Sequence, residues 1–235
     1  MSTLIALVFF IGFFCESMFG FGGLLISFAI LSFFIDIKEI IPVAVYVGTL
    51  ASCFVLVTDR KSIDWLLLLK TVFPLAFLGT VTGVVLFSYL SNEILLKIFA
   101  LFLIVIAAKS LILGKLSFMK YLKYPLLYAG GIMHGIYGVG GPFTLLAVKQ
   151  EFKNKSYLRS TMAVYFILFN LVRIIQFRVT EQFAVKDFFV MWWLILPIFV
   201  AVFLGYRIHV KISEEIFRKI INILLLMAGV IYILR

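Results

Sequence analysis

Apolar residues in this chain run in long, unbroken stretches separated by short polar turns, with no two-residue alternation. Met1–Ile35, Val72–Leu90 and Ile94–Leu113 are each long enough to cross a bilayer, which takes about 20 mostly apolar residues per helix. Lipid offers no partner to backbone N–H and C=O groups, so only helices and closed barrels span it. Continuous rather than alternating runs favour helices, and the expected fold class is an all-α polytopic membrane protein. Breakers and charges mark the turns, as at Thr58-Asp59-Arg60-Lys61 and Ser91-Asn92.

The pattern repeats. Gly20-Phe21-Gly22-Gly23 returns as Gly138-Val139-Gly140-Gly141, and Ala44-Val45-Tyr46-Val47 as Ala163-Val164-Tyr165-Phe166. Ser91-Asn92-Glu93-Ile94 has a later counterpart in Ser213-Glu214-Glu215-Ile216, and Lys97-Ile98 in Lys219-Ile220. Order is preserved while the offset drifts slowly, as small loop insertions would produce. Residues 1–113 and 126–235 are therefore expected to be two transmembrane repeats, joined by a basic connection at 114–125. Each opens with a glycine-broken apolar segment, and three apolar runs follow. These runs are Ile41–Val57, Asp64–Tyr89 and Glu93–Leu113 in the first half, then Met162–Val179, Val185–Tyr206 and Glu214–Leu234 in the second.

Whether the broken segment crosses or turns back decides the symmetry. If it crosses, each half has four spans and the Lys and Arg residues divide almost evenly between the two sides. If it is a re-entrant hairpin, each half has three spans, and one side holds 15 of the 21 basic residues. Cytoplasmic loops carry an excess of Lys and Arg, so the hairpin is preferred. It makes the repeats inverted in topology, with the join in the cytoplasm and both termini outside. Length agrees, because Leu126–Tyr137 and Pro142–Val148 are each too short to cross alone. The competing reading is one kinked helix, or glycines used for tight helix packing.

Composition narrows the class further. Of 235 residues, 64% are hydrophobic and 14% charged, against about 45–50% and about 25% in soluble domains. The net charge of +10 comes from residues in short loops between apolar runs, which sets orientation and excludes nucleic acid as the partner. No basic residue precedes Lys38 and no small-x-small cleavage site follows the apolar start, so the first segment is expected to remain in the mature protein. Cys15 and Cys53 are the only cysteines. They have neither metal-site nor CxxC spacing and read as packing residues. No metal or cofactor is expected.

The glycine breaks are the candidate site. In each repeat the returning half-helix starts at the tip, near Gly22-Gly23 and Gly140-Gly141, with Pro142 suited to a first helical position. A helix N-terminus presents N–H donors and partial positive charge, which favours an anion. Gly20, Gly22, Gly23, Gly138, Gly140, Gly141 and Pro142 are therefore candidate substrate-binding positions, together with Ser27 and Thr144, the first hydroxyls along the two half-helices. Glu16 and His134 lie 118 positions apart, each four residues before its first tip glycine. Titratable groups so placed are candidates for proton coupling, against a purely structural alternative. Asn170 and Arg173 sit one turn apart in an apolar run. Arg173 either holds an anion or, as the favoured reading, snorkels to an interface. Trp192 and Trp193 read as packing or interfacial-belt residues.

At Gly20-Phe21-Gly22-Gly23 and Gly138-Val139-Gly140-Gly141-Pro142 with Thr144, the chain resembles the sulfite exporter (TauE/SafE) family of membrane transporters. The apolar segments starting near Pro42 and Thr161 also resemble the family's second helix in each half, and the likeness covers essentially the whole length. The resemblance implies transport of a small sulfur-containing anion or organic acid across a bacterial plasma membrane, sulfite, thiosulfate, sulfoacetate and sulfolactate being substrates of that sort. The expected function is a secondary transporter, an exporter by resemblance, working by alternating access with one site shared between the two glycine-rich breaks. An anion channel is the first alternative. A thiol-redox carrier would want equivalent cysteines in both halves, whereas the repeat positions of Cys15 and Cys53 hold Met133 and Val172. An enzyme is not expected, since the apolar segments hold no paired carboxylates, no HExxH and no Ser/His/Asp set. The partners are the small anion and the lipid bilayer, and a homo-oligomer is left open.

Overall fold

All regular structure among the described residues is helical. The computed structural model describes residues 2–19, 23–59, 62–112, 122–181, 191–208 and 214–234. The helices are α1 (Ser2–Phe19), α2 (Gly23–Leu31), α3 (Ile37–Asp59), α4 (Trp65–Tyr89), α5 (Asn92–Ile112), α6 (Lys123–Tyr137), α7 (Gly141–Val148), α8 (Lys155–Val179), α9 (Ile195–Ile208) and α10 (Glu214–Leu234). The tip residues Gly20, Phe21 and Gly22, most of the basic connection, the stretch 182–190 and His209 lie outside the described residues.

Four helices are long and apolar enough to cross a membrane among the described residues: Ile37–Val57, Trp65–Tyr89, Asn92–Leu111 and Ser156–Val179. Capping groups set several boundaries. The carbonyl of Asp36 accepts from the N–H groups of Glu39 and Ile40, so α3 starts four residues before the expected Ile41 and runs through Pro42. The side chain of Asn154 accepts from the Tyr157 N–H at 3.0 Å, which starts α8 at Lys155, well before the expected Met162. Such side-chain caps satisfy donors that no helical carbonyl can reach. Asp64 does the same for α4 through the Leu67 N–H, and α4 continues across a π turn at Leu68–Val72. In the last third, α9 starts at Ile195 after a 3₁₀ turn at Met191–Leu194; the expected start near Val185 lies outside the described residues.

The helices gather into two compact units that do not coincide with the two sequence halves. The first unit contains α1, α2, α5, α10 and the end of α9. Here α1 and α2 pack at glycine: a Cβ on Gly23 would lie 2.7 Å from the Gly12 carbonyl oxygen. On α10, Gly229 lets that helix approach the backbone of Ala100 on α5. The Tyr232 hydroxyl donates to the Ala29 carbonyl at 2.7 Å and accepts from Ser32 at 2.8 Å, tying α10 to α2.

The second unit contains α4, α6, α7, α8, α3 from Ile41 onward and the start of α9. Its seam is a double glycine motif. Gly79 and Gly83 on α4 face Gly131 and Gly135 on α6, and a Cβ on Gly135 would lie 2.8 Å from the Gly83 Cα. A Cβ on Gly79 or on Gly131 would collide with the carbonyl oxygen of Tyr128 or of Ala76, respectively. Small residues four apart allow this backbone approach, which is how helices gain dispersion contact where lipid removes the hydrophobic drive between them. A core of Leu68, Val72, Ala76, Leu127, Val148, Met162, Tyr165 and Phe169 fills the space beside the seam.

Because the colliding atoms at the seam are backbone, they cannot swing aside. Gly131→Leu and Gly83→Leu are each expected to destabilise the protein by about 1–3 kcal/mol or more, as overpacking does. Thermal unfolding of the detergent-purified protein measures this. Wild-type stability in both variants would show that the seam is not closely packed.

Candidate functional site

The second glycine break lies in the second unit and is described in full. Helix α6 ends when Gly138 adopts the left-handed conformation at φ +73°, and its N–H returns to the His134 carbonyl at 2.7 Å. A side chain there would be strained, so glycine is the natural stop. After Val139 and Gly140 the chain re-enters helix at Gly141, which places Pro142 at the second helical position rather than the first. Its missing N–H costs nothing there, since the first turn has no helical acceptor.

Helix α7 lies back along α6. A Cβ on Gly130 would meet the Thr144 hydroxyl at 2.8 Å, and at the open end Lys123 pairs with Glu151 at 2.6 Å. The first unit shows the same contact between α1 and α2. There a Cβ on Gly12 would collide with the Ser27 hydroxyl, and Ser27 donates to the Val8 carbonyl at 3.4 Å. Gly12 and Gly130 are 118 positions apart, as are Gly23 and Gly141. The sequence repeat is therefore repeated in local contacts.

The tip glycines serve close packing. A Cβ on Gly140 would collide with the Gly130 carbonyl oxygen and lie 2.6 Å from the Tyr165 hydroxyl, and one on Gly141 would lie 2.8 Å from the Phe166 ring. Thr144, fully buried, donates to the Tyr165 hydroxyl at 3.3 Å.

Glu16 and His134, 118 positions apart in the sequence, behave differently. Glu16 turns its carboxylate to the start of α2, where it accepts from the Gly23 N–H at 2.8 Å. The first half-helix thus has a carboxylate of its own chain at its N-terminus, the place where a helix favours an anion. His134 instead reaches α8. Its Nε2 lies 3.1 Å from the Asn170 side-chain oxygen, and its ring packs among Tyr165, Phe166 and Phe169.

Arg173 does not snorkel. Its side chain is fully buried, with the guanidinium 4.4 Å from the ring centres of both Phe87 and Phe177. One terminal nitrogen donates to Gln176 at 2.7 Å and the other to the Ile136 carbonyl at 3.4 Å. Facing aromatic rings stabilise a desolvated cation, which makes this pocket more favourable than extension through the apolar wall of α8. The two rings come from α4 and α8, so the chain order of Arg173 and its apolar neighbours does not reveal them.

His134, Asn170 and Arg173 form one buried chain of contacts, because Asn170 and Arg173 share a face of α8 and Arg173 bonds the carbonyl two residues beyond His134. Each retains a buried polar atom without a hydrogen-bond partner: His134 Nδ1, Asn170 Nδ2 and Arg173 Nε. Buried polar groups are nearly always paired, since each unpaired one costs about 1–3 kcal/mol. No carboxylate among the described residues lies within ion-pair distance of Arg173. The cluster therefore carries one fixed positive charge, beside a glycine turn whose Gly138 lies next to the Asn170 oxygen. Of the expected site residues, the structure groups Gly138, Gly140, Gly141, Thr144, His134, Asn170 and Arg173 in this unit, and Gly23, Ser27 and Glu16 in the other. Sequence reading missed Tyr165, Phe87 and Phe177. Only the alignment of Tyr165 with Tyr46 singled out any of them.

Among the described residues no group of three or more His, Cys, Asp or Glu side chains could hold a metal ion. The two cysteines are free, Cys15 half-buried and Cys53 exposed.

No curated protein and no solved structure matches the chain. A family model described as sulfite exporter TauE/SafE matches residues 4–232. The match runs through both glycine breaks and the buried His134–Asn170–Arg173 cluster, and the chain belongs to the sulfite exporter TauE/SafE family.

Proposed function

We propose that the protein is a secondary transporter that moves a small anion across the plasma membrane, and that the anion binds in the second unit at His134, Asn170 and Arg173 beside the Gly138–Gly141 turn. The family is one of membrane transporters of sulfite-type anions and not of enzymes. The observation that carries the site is the set of three unpartnered polar atoms around a buried, uncompensated guanidinium. A fixed cation in an apolar interior is costly without a partner of opposite charge, and an incoming anion supplies one.

In this reading the two broken segments are re-entrant hairpins in inverted repeats, a recurring way to place half-helix ends at mid-membrane. The distribution of Lys and Arg supports it and sets both termini outside. Glu16 puts the chain's own carboxylate at the start of α2, which supports the second break as the place for an external anion. Alternating access is the mechanism, and export the direction that the family suggests.

Flux of labelled sulfite into and out of liposomes containing the purified protein tests this. Flux that saturates and shows counterflow is expected, and non-saturating conductance would favour a channel. Arg173→Gln and Asn170→Ala are expected to reduce flux by about tenfold or more, because a hydrogen bond to a charged group contributes about 1.5–3 kcal/mol. Wild-type flux in both variants would remove the cluster from the transport path.

Glu16→Gln keeps a carbonyl oxygen to accept from Gly23 while removing the titratable group. If Glu16 carries the coupling proton, this variant loses the response of flux to a pH gradient while keeping its stability. A retained response would leave Glu16 as a structural cap.

A further inference from the structure

The three unpartnered atoms of the second-unit cluster differ in kind. The Asn170 side-chain oxygen only accepts hydrogen bonds, so the His134 Nε2 that lies 3.1 Å away carries a hydrogen. In a neutral imidazole the other nitrogen is then a bare lone pair, and Nδ1 is the unpartnered one. Asn170 Nδ2 and Arg173 Nε, by contrast, are donors. The cluster thus offers two donors, one acceptor and one positive charge. Its complement is a ligand with two acceptor oxygens, one O–H and one negative charge.

Charge balance points the same way. Among the described residues, Tyr165 of α8 packs against His134, and Arg173 of α8 bonds the carbonyl two residues beyond it. Helix α7 brings Gly141 and Thr144, and α4 brings small residues and Phe87, its titratable side chains, Lys70 and Tyr89, being exposed. Helix α3 meets the turn through Val45, with Lys38, Glu39 and Asp59 at its ends. One guanidinium neutralises one negative charge. A dianion would leave a net charge buried in apolar surroundings, which is strongly unfavourable, and would set oxygen lone pairs against that of His134.

We propose that this site takes its anion with one proton attached, as a singly charged oxyanion of the hydrogen-sulfite type. Its oxygens accept from Asn170 and Arg173, and its O–H donates to His134. The proton then travels on the substrate, so no side chain has to bind and release it. This rests on the reading of the cluster as the anion site.

The test is equilibrium binding of sulfite and of methanesulfonate to the purified full-length protein, from mildly acidic to mildly alkaline pH. Methanesulfonate has the same charge and a similar shape but no O–H. Sulfite affinity is expected to fall about tenfold per pH unit once the anion loses its last proton, the slope for one linked proton. Methanesulfonate is expected to bind about tenfold more weakly than sulfite at acid pH, without pH dependence. His134→Gln should narrow the gap between the two ligands, while Arg173→Lys should retain part of the affinity for both.

Sulfite binding that is flat or strengthens with rising pH would overturn the proposal, as would equal binding of the two anions at acid pH. Methanesulfonate binding that strengthens toward acid in parallel with sulfite would place the proton on the protein, and overturns it too. Each of those results leaves the anion site standing. Failure of both anions to bind a protein that unfolds cooperatively at every pH would defeat the site itself, and this proposal with it.

Discussion

Two helix backbones touch where Gly79 and Gly83 meet Gly131 and Gly135, and the arrangement of the second unit depends on that contact. With α6 held flush against α4, the neighbouring face of α6, through Gly130 and His134, is left for α7 and α8. Phe87 lies one turn beyond Gly83 on the same face of α4, which brings its ring over the Arg173 guanidinium. On α6, Gly130 admits Thr144 of α7, while His134, one turn later, reaches Asn170 of α8. Any side chain at the seam would move α6 outward and separate these partners together.

The cluster around Arg173 is expensive in isolation. A guanidinium enclosed by protein loses its hydration, and its partners here are two aromatic rings, one amide oxygen and one backbone carbonyl. Such contacts position the cation without cancelling its charge. A carboxylate from the chain would cancel it and would also compete with a ligand. The first unit has that second arrangement at its helix start, where Glu16 bonds Gly23. The two half-helix starts thus differ: Glu16 bonds that of α2, whereas a buried, positively charged cluster lies beside the turn before α7.

Much of the architecture was legible in the chain. Long apolar runs without alternation require helices in a bilayer, and the second glycine break marked its turn, with half-helices close to those observed at Lys123–Tyr137 and Gly141–Val148. The presence of His134, Asn170 and Arg173 within apolar segments was also readable. Helix starts at Ile37 and Lys155 were not, because Asp36 and Asn154 extend helices into polar turns that hydropathy counts as loops. The glycine seam was hidden for a related reason. Gly79 and Gly83 form a recognisable small-residue motif, but nothing in the sequence names Gly131 and Gly135 as the surface they meet.

By itself the sequence determined a multi-pass helical membrane protein, its family and the position of the second glycine break. Those properties follow from hydropathy, glycine placement and periodicity, which act locally along the chain. Only the tertiary structure decided what the tip glycines and Arg173 do. Gly140 and Gly141 serve packing against Gly130, Tyr165 and Phe166, and Arg173 is enclosed between rings drawn from two helices instead of reaching an interface. The preference of a long cationic side chain between lipid surface and protein interior depends on which groups surround it. Here those groups include Phe87, distant along the chain and brought close by the packing of helices around the glycine seam.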